Sequence, residues 1–261
     1  MSPLPTIFVS HGSPMLALQD SPARRFLQGL GLSLPRPRAI VVVSAHWETS
    51  GAPAVSLAVQ PATIHDFGGF PQPLYDIRYQ PPGAPAVAER AATLFEAAGV
   101  PVDRSAERGL DHGAWVPLSL MYPQADLPVM QISLVRGAGP ALHHSLGLAL
   151  AQLRHEGVLV IGSGSMTHNL HEFRGQPVDA PAPHWVSEFE SWMRDRLENN
   201  DSAALLDYRN RAPSAAQNHP SEEHLLPLFV ALGAAGATAK AQLLHSSVEH
   251  AVLAMDAYAF D

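Results

Sequence analysis

One stretch of six residues constrains the fold of this chain more than any other. The residues 39–44, Ala-Ile-Val-Val-Val-Ser, form a continuous apolar run that is rich in β-branched side chains and does not alternate with polar residues. Such a run is typical of a strand that is buried on both faces, and strands of this kind belong to largely parallel sheets with helices on both sides. The stretch therefore predicts an α/β fold.

The rest of the chain continues this pattern, because apolar runs alternate with helical patterns. Further strands are expected at 7–9, 54–59, 129–135, 158–161, 239–245 and 251–260, and helices at 22–31, 85–98, 112–122, 140–154, 183–199 and 221–232. The residues 61–82, rich in proline, glycine and aromatic side chains, are expected to form a long loop. We therefore predict a single domain over residues 1–261, with a central mixed or mostly parallel sheet flanked by helices.

Composition excludes several classes of function. The net charge is −8, and the 16 lysine and arginine residues form no cluster that would bind phosphates, which argues against a nucleic-acid partner. The sequence has no cysteine, so disulfides, thiolate metal sites and a cysteine nucleophile are excluded. The N-terminal residues do not resemble a signal peptide, and no apolar run approaches the ~18 residues of a membrane span. We expect a cytoplasmic protein without a membrane segment.

Three of the 14 histidines follow predicted strands. His11 and His46 come two residues after the strands at 7–9 and 39–44, and His168 comes after the strand at 158–161 and a glycine-rich segment. Because the carboxyl ends of parallel strands meet at one edge of a sheet, where ligands bind, we expect the three imidazoles to lie close together. The cluster indicates either a metal site or a histidine acid/base site. The alternative is that these histidines only hydrogen-bond to loop backbone.

A fourth histidine is the best candidate to complete a metal site. His224 lies near the start of the predicted helix at 221–232, next to Glu223. A divalent ion needs two or three neutral imidazoles and one further nitrogen or oxygen ligand. If His224 completes the ligand set, His112 and His168 remain as proton-transfer groups.

The sequence does not match two other functional motifs, a nucleotide-binding loop and a zinc-protease helix. The residues 162–166, Gly-Ser-Gly-Ser-Met, lack the lysine of a phosphate-binding Walker loop and the third glycine of a dinucleotide-binding loop. His219 and His224 are five residues apart, whereas the helix of a zinc protease needs a spacing of four to place both ligands on one face.

Six short motifs surround the histidines, in this order: His-Gly-Ser-Pro-Met at 11–15, Ser-Ala-His-Trp at 44–47, His-Asp-Phe-Gly-Gly-Phe-Pro at 65–71, Asp-His-Gly at 111–113, His-Asn-Leu at 168–170 and Glu-His-Leu-Leu-Pro at 223–227. As a set they resemble the class III extradiol ring-cleavage dioxygenases, a LigB-like family, and within it the branch that opens DOPA and related catechols. The resemblance implies a single-domain α/β fold. It also implies cleavage of a catechol ring beside its two hydroxyls, with insertion of both atoms of dioxygen.

The resemblance further implies roles for individual residues. His11, His46 and His224 would be the metal ligands. His168 would be the acid/base, and His112 a second polar group near the substrate and oxygen. The expected metal is a non-haem Fe(II). An all-histidine set is also acceptable to zinc, for which His168 would be a fourth ligand, so Zn(II) is the alternative.

The substrates expected from this resemblance are a small aromatic diol and dioxygen. Phe70, Tyr75 and Trp115 would form an aromatic wall for the planar ring, and Arg108 and Arg136 are the candidates for a carboxylate on the substrate. Two other functions stay open at this point, namely a zinc hydrolase and a non-catalytic metal-binding protein. The oligomeric state is also open, with a homo-oligomer as one alternative.

Overall fold

Residues 3–261, which the computed structural model describes, contain ten strands. In chain order they are β1 (Thr6–Ser10), β2 (Ala39–Thr49), β3 (Ala54–Ser56), β4 (Asp103–Ser105), β5 (Val129–Val135), β6 (Val158–Gly164), β7 (Ala241–His245), β8 (Val248–Glu249), β9 (Leu253–Ala254) and β10 (Ala257–Phe260). Eight of them form one sheet in the order β4-β3-β5-β2-β6-β1-β10-β7, and β8 pairs with β9 in a separate hairpin.

The same residues contain eleven α-helices and two short 3-10 helices. The α-helices are α1 (Pro22–Ser33), α2 (Gln72–Asp76), α3 (Pro85–Ala97), α4 (His112–Met121), α5 (Gly139–Leu150), α6 (Gln152–His155), α7 (His184–Glu198), α8 (Ser202–Leu206), α9 (Tyr208–Arg211), α10 (Ala215–Asn218) and α11 (Leu226–Ala235). The 3-10 helices are Pro14–Ala17 and Leu170–Glu172. None of the helices within residues 3–261 combines the length and the apolar character needed to cross a membrane.

The centre of the sheet is parallel and its margins are mixed. The strands β5, β2, β6 and β1 are neighbours that run in the same direction, whereas β10 and β7 are added in antiparallel fashion beside β1. This is the predicted single-domain α/β fold with a mixed, mostly parallel sheet flanked by helices. Because β1, β6 and β2 are adjacent and parallel, the segments that follow them emerge at the same edge of the sheet.

The strand β2 shows why its apolar run requires this architecture. Its alternate side chains enter two separate cores, one on each face of the sheet. Val41 and Val43 pack in the core that contains α3, α5 and α11, while Ile40 and Val42 pack in the core that contains α1 and α4. All four are fully or almost fully buried, and burial of such a side chain contributes roughly 1.5–3 kcal/mol. The strand is therefore stable only with helices on both sides.

Several boundaries differ from those predicted: among others, the strand expected at 54–59 ends at Ser56, and the helix expected at 140–154 is divided into α5 and α6. β2 continues to Thr49, the strand predicted at 251–260 is divided into β9 and β10, and the helix predicted at 221–232 begins only at Leu226. The late start of α11 has a clear cause. The carbonyl of His224 accepts the backbone N–H of Ser165 at 2.8 Å, and the N–H of Leu228 donates to Leu225 instead of to His224. His224 is therefore bonded to the end of β6 and lies in a turn before the helix.

Candidate functional site

Two of the predicted ligands are positioned by the central parallel strands. His11 directly follows β1, and His46 lies in β2 beyond Ser44, the last residue of β2 that pairs with β6. The Nε2 atoms of His11 and His46 are 3.0 Å apart. The edge of the sheet therefore brings both imidazoles to one point, as the strand pattern predicts.

His224 reaches the same point from the turn before α11. A Cβ atom on Gly164 would lie only 2.0 Å from the carbonyl oxygen of His224, so the close approach of this turn to β6 requires glycine. One ring nitrogen from each of His11, His46 and His224 lies within 4.8 Å of the other two. The structure thus brings the three histidines together, although they come from distant parts of the chain.

The hydrogen on the His11 ring is located by Ser163. The hydroxyl of Ser163 donates to the carbonyl of Gly113, which can only accept. The hydroxyl oxygen is then the acceptor for Nδ1 of His11, at 3.0 Å. A neutral imidazole with its hydrogen on Nδ1 carries its lone pair on Nε2. The Nε2 lone pair of His11 therefore faces the other two histidines.

Carboxylates favour a hydrogen on Nδ1 of the other two rings, through a hydrogen bond in His224 and through charge alone in His46. Oε1 of Glu223 accepts a hydrogen bond from Nδ1 of His224 at 2.8 Å, and Oδ2 of Asp66 lies 3.7 Å from Nδ1 of His46. Nε2 of His224 is buried without a hydrogen-bond partner among residues 3–261. Acceptors in these positions orient the histidine ligands of metal sites. Glu223 therefore leaves the lone pair of His224 on Nε2, and the charge of Asp66 favours the same arrangement in His46.

Burial keeps the three imidazoles neutral. It lowers the pKa of His46 to about 4, with a further contribution from His112, and it lowers the pKa values of His11 and His224 well below the ordinary value for histidine. At neutral pH three lone pairs therefore point at one another, which is unfavourable unless a cation lies between them. Neutral imidazole nitrogens are good ligands for Fe(II) and for Zn(II). The residues present fit a divalent transition metal.

His112 is held by a carboxylate that the sequence analysis did not single out. Asp66 accepts the backbone N–H of His112 at 2.9 Å and its Nδ1–H at 3.0 Å. Burial opposes ionisation of Asp66, but the hydrogen bonds from His112 prevail and lower the pKa of Asp66 to about 2. The carboxylate is therefore ionised at neutral pH, and it leaves Nε2 of His112 as the nitrogen available for chemistry.

His168 lies beside the group of three. Its ring stacks on that of His224, with centroids 3.4 Å apart and 7° between the ring planes. Its ring nitrogen lies within 4.8 Å of ligand atoms of Glu223 and His224. Burial lowers the pKa of His168 to about 4, so this imidazole is neutral at pH 7 and able to accept a proton.

A cavity of about 600 Å³ opens over these histidines, which is within the usual size range of small-molecule sites. Its walls are mostly apolar. The lining residues are Gly12, Ser13, Pro14, Met15, Gln19, His46, Phe67, Phe70, His112, His168, Leu170, Phe173, His224, His250, Val252 and Leu253. The cavity is therefore large enough for a small aromatic molecule in contact with His46, His112, His168 and His224.

The predicted aromatic wall is only partly correct. Phe70 lines the cavity, but Trp115 is completely buried and donates its indole N–H to the carbonyl of Ile64 at 3.0 Å. Tyr75 does not line the cavity either, since its hydroxyl accepts the backbone N–H of Phe70 at 3.3 Å. Phe67, which contacts both of these rings, lines the cavity in their place. The polar groups of Tyr75 and Trp115 have hydrogen-bond partners inside the protein. These two side chains therefore pack behind the residues that line the cavity.

The two arginines proposed for a substrate carboxylate also lie outside the lining of the cavity. Arg108 donates to the fully buried carboxylate of Asp111, which caps the N-terminus of α4. Arg136 is mostly exposed and pairs with Glu48 at 3.5 Å. Each guanidinium is therefore already matched with an acidic side chain of the protein.

Comparisons with known proteins identify the family of this chain. Residues 5–261 match the family model described as the catalytic LigB subunit of aromatic ring-opening dioxygenase. Among relatives, the chain is 44% identical over 261 residues to a Beta vulgaris protein named 4,5-DOPA dioxygenase extradiol, with 98% of this chain and 96% of that protein covered. It is 42% identical over 234 residues to a protein of the same name from Escherichia coli K12, with 88% and 85% covered.

A solved structure shares the fold of this chain. The structure is similar to the crystal structure of an uncharacterized protein from Escherichia coli K12, with a TM-score of 0.83, 34% sequence identity, and 98% of this chain and 99% of that chain covered. The family model spans almost the whole chain, and the resemblance seen in the six motifs is confirmed. This chain therefore belongs to the LigB family of metal-dependent, extradiol, aromatic ring-opening dioxygenases.

Proposed function

We propose that this enzyme opens the ring of a DOPA-type catechol, with His11, His46 and His224 as the ligands of Fe(II). The convergence of three neutral imidazoles beneath an aromatic-lined cavity is the observation that carries the proposal. The names of the relatives from Beta vulgaris and Escherichia coli support a substrate of the DOPA type.

The choice of Fe(II) follows from the reaction class and the donor set. When bound, Fe(II) supplies the redox chemistry that lets dioxygen react with a catecholate. The three imidazoles bring no negative charge, so the catecholate is the anion that balances the charge of the ion. Zn(II) suits the same nitrogens, and we expect it in protein that is purified without added iron, in a form that does not turn over.

The remaining histidines are proposed to move protons. His168 lines the cavity as a neutral ring beside His224, and it accepts the first hydroxyl proton of the catechol and later returns it as the ring opens. His112 faces the same cavity, and Asp66 keeps its hydrogen on Nδ1. Nε2 of His112 is therefore ready to accept a hydrogen bond from the second hydroxyl.

Reconstitution with Fe(II) under anaerobic conditions, followed by oxygen and DOPA, tests the function. We expect oxygen uptake that matches DOPA consumption and a yellow semialdehyde product, because both oxygen atoms enter the opened ring. Protein loaded with Zn(II) is the matched control and should consume no oxygen. Ester or amide hydrolysis by the zinc form, without oxygen uptake, would identify a hydrolase instead. If no catechol gives a coloured product at full iron occupancy, the protein is a non-catalytic metal-binding protein.

The orienting role of Asp66 gives a second prediction. In Asp66→Asn one of the two acceptor oxygens becomes an NH2 group, which cannot accept, so only one of the two hydrogen bonds from His112 keeps its acceptor. We expect kcat to fall roughly tenfold to a hundredfold, with little change in KM and no loss of metal, because the hydrogen bonds of Asp66 go to His112 and not to a proposed ligand. Steady-state kinetics and metal analysis of the iron-loaded protein measure both quantities. Asp76→Asn, at the exposed end of α2, is the control, and metal loss in Asp66→Asn would contradict the assignment.

A further inference from the structure

Two polar side chains of the cavity wall have no part in the chemistry described above. Apart from the histidines of the cluster, the polar side chains that line the cavity within residues 3–261 are those of Ser13, Gln19 and His250. The hydroxyl of Ser13 accepts the backbone N–H of Met15. The described lining contains no lysine, arginine, aspartate or glutamate. Gln19 and His250 are therefore the groups available to a polar substituent of the substrate.

His250 is held in a strained turn. The residues 250–252 connect β8 with β9, and φ is +54° at His250 and +64° at Ala251. Residues with a Cβ atom rarely adopt this left-handed conformation, and glycine would adopt it at a lower energetic cost. Strain of this kind occurs mainly at functional sites, where the surrounding structure maintains it. Histidine is thus an unfavourable choice for the backbone here, which points to a function of its side chain.

Two hydrogen bonds orient this imidazole. The backbone N–H of His250 donates to the carbonyl of Val178 at 3.0 Å. Nδ1 of His250 lies 2.9 Å from the carbonyl oxygen of Gln176, which can only accept, so Nδ1 carries the hydrogen. Phe173 packs edge-on against the ring, with the centroids 5.4 Å apart. With its hydrogen on Nδ1, an imidazole presents Nε2 as an acceptor, and here the ring lies at the wall of the cavity.

We infer that Gln19 and His250 bind the amino-acid tail of the catechol, an inference that rests on the proposed function. The tail of DOPA carries one ammonium and one carboxylate group. Nε2 of His250 accepts a hydrogen bond from the ammonium, and the NH2 group of Gln19 donates to the carboxylate. Because the described lining around Gln19 and His250 contains no lysine, arginine, aspartate or glutamate, the subsite matches a tail without net charge. It selects catechols with a zwitterionic tail over catechols with an apolar or a purely anionic one.

Anaerobic binding of three catechols to the iron-loaded enzyme tests this subsite. The probes are DOPA, 3,4-dihydroxyphenylpropionate, which lacks the ammonium, and 4-methylcatechol, which lacks both charged groups. Calorimetry gives Kd, and steady-state kinetics in oxygen give KM and kcat. We expect His250→Gly and Gln19→Met each to raise Kd and KM for DOPA about fivefold to tenfold and to leave those for 4-methylcatechol unchanged within about twofold. His250→Gly should leave Kd for the propionate unchanged.

Ala251→Gly is the matched control, because it relaxes the same turn without altering a lining side chain. It should leave all Kd values unchanged, so an effect of His250→Gly cannot come from the backbone. Thermal unfolding reports on the fold, and Gln19→Met tests the subsite outside the turn. Equal losses for DOPA and 4-methylcatechol, or equal affinity of the unaltered enzyme for both, would overturn the inference. A different result would overturn the proposed function: the unaltered enzyme would bind these catechols but convert none of them.

Discussion

A variant with His46 replaced by alanine is expected to bind no metal and to lose at least about a thousandfold in kcat/KM. The substitution removes one of three converging Nε2 atoms and leaves only two nitrogens, from His11 and His224, to hold the ion. It should leave the fold intact, because His46 is only half-buried and lies beyond the pairs that β2 makes with β6. Loss of activity will therefore come from the site and not from unfolding.

Three measurements check this expectation. Elemental analysis gives the metal content, an oxygen electrode gives the activity, and thermal unfolding gives the stability with and without added Fe(II). Metal should raise the unfolding temperature of the unaltered protein, because it binds the folded state, and should not affect that of His46→Ala. His184→Ala, in which the lost side chain is 80% exposed, is the control for removal of a histidine. Full metal occupancy in His46→Ala would show that His46 is not a ligand.

Replacement of His168 by alanine is expected to have the opposite pattern, with metal retained and turnover lost. His168 stacks on His224 but lies outside the group formed by His11, His46 and His224. Its removal should therefore leave the three nitrogens in place. Loss of a proton-transfer group lowers kcat by roughly 10²-fold to 10⁴-fold. The catechol should still bind, so Kd measured without oxygen should change little.

Metal content separates the two roles considered for His168, which are an acid/base and a fourth metal ligand. If His168→Ala loses metal together with activity, the ring is a fourth ligand, as the zinc alternative requires. If it retains the metal and loses only turnover, the ring is an acid/base. The matched control is His171→Ala, since His171 is an exposed histidine of the same segment and its loss should change neither quantity.

Local sequence patterns predicted most of the fold. The apolar run at 39–44 correctly indicated a strand between two helical layers, and the strand at 129–135 was predicted with the observed bounds. The positions of His11 and His46 at the ends of two parallel strands of one sheet could also be predicted, since parallel strands align their carboxyl ends. These features depend on side-chain burial over a few residues, and such patterns are visible in the sequence.

Contacts between distant residues could not be predicted in the same way. Asp66 is a partner of His112, 46 residues away, and Ser163 is a partner of His11, 152 residues away. Trp115 was wrongly placed in the substrate wall, because its sequence neighbourhood does not show that its indole N–H bonds to Ile64 inside the protein. The partners of a polar side chain are decided by packing.

The sequence by itself determined the α/β architecture, the family and the histidines that lie at one edge of the sheet. It could do so because burial of the apolar run in β2 requires helices on both faces, and because parallel strands carry His11 and His46 to the same side. Only the tertiary structure decided how these rings are used. Ser163 and Glu223 locate the ring hydrogens of His11 and His224 on Nδ1, and the charge of Asp66 favours the same in His46. Long-range packing thus turns three separate imidazoles into one site with converging lone pairs.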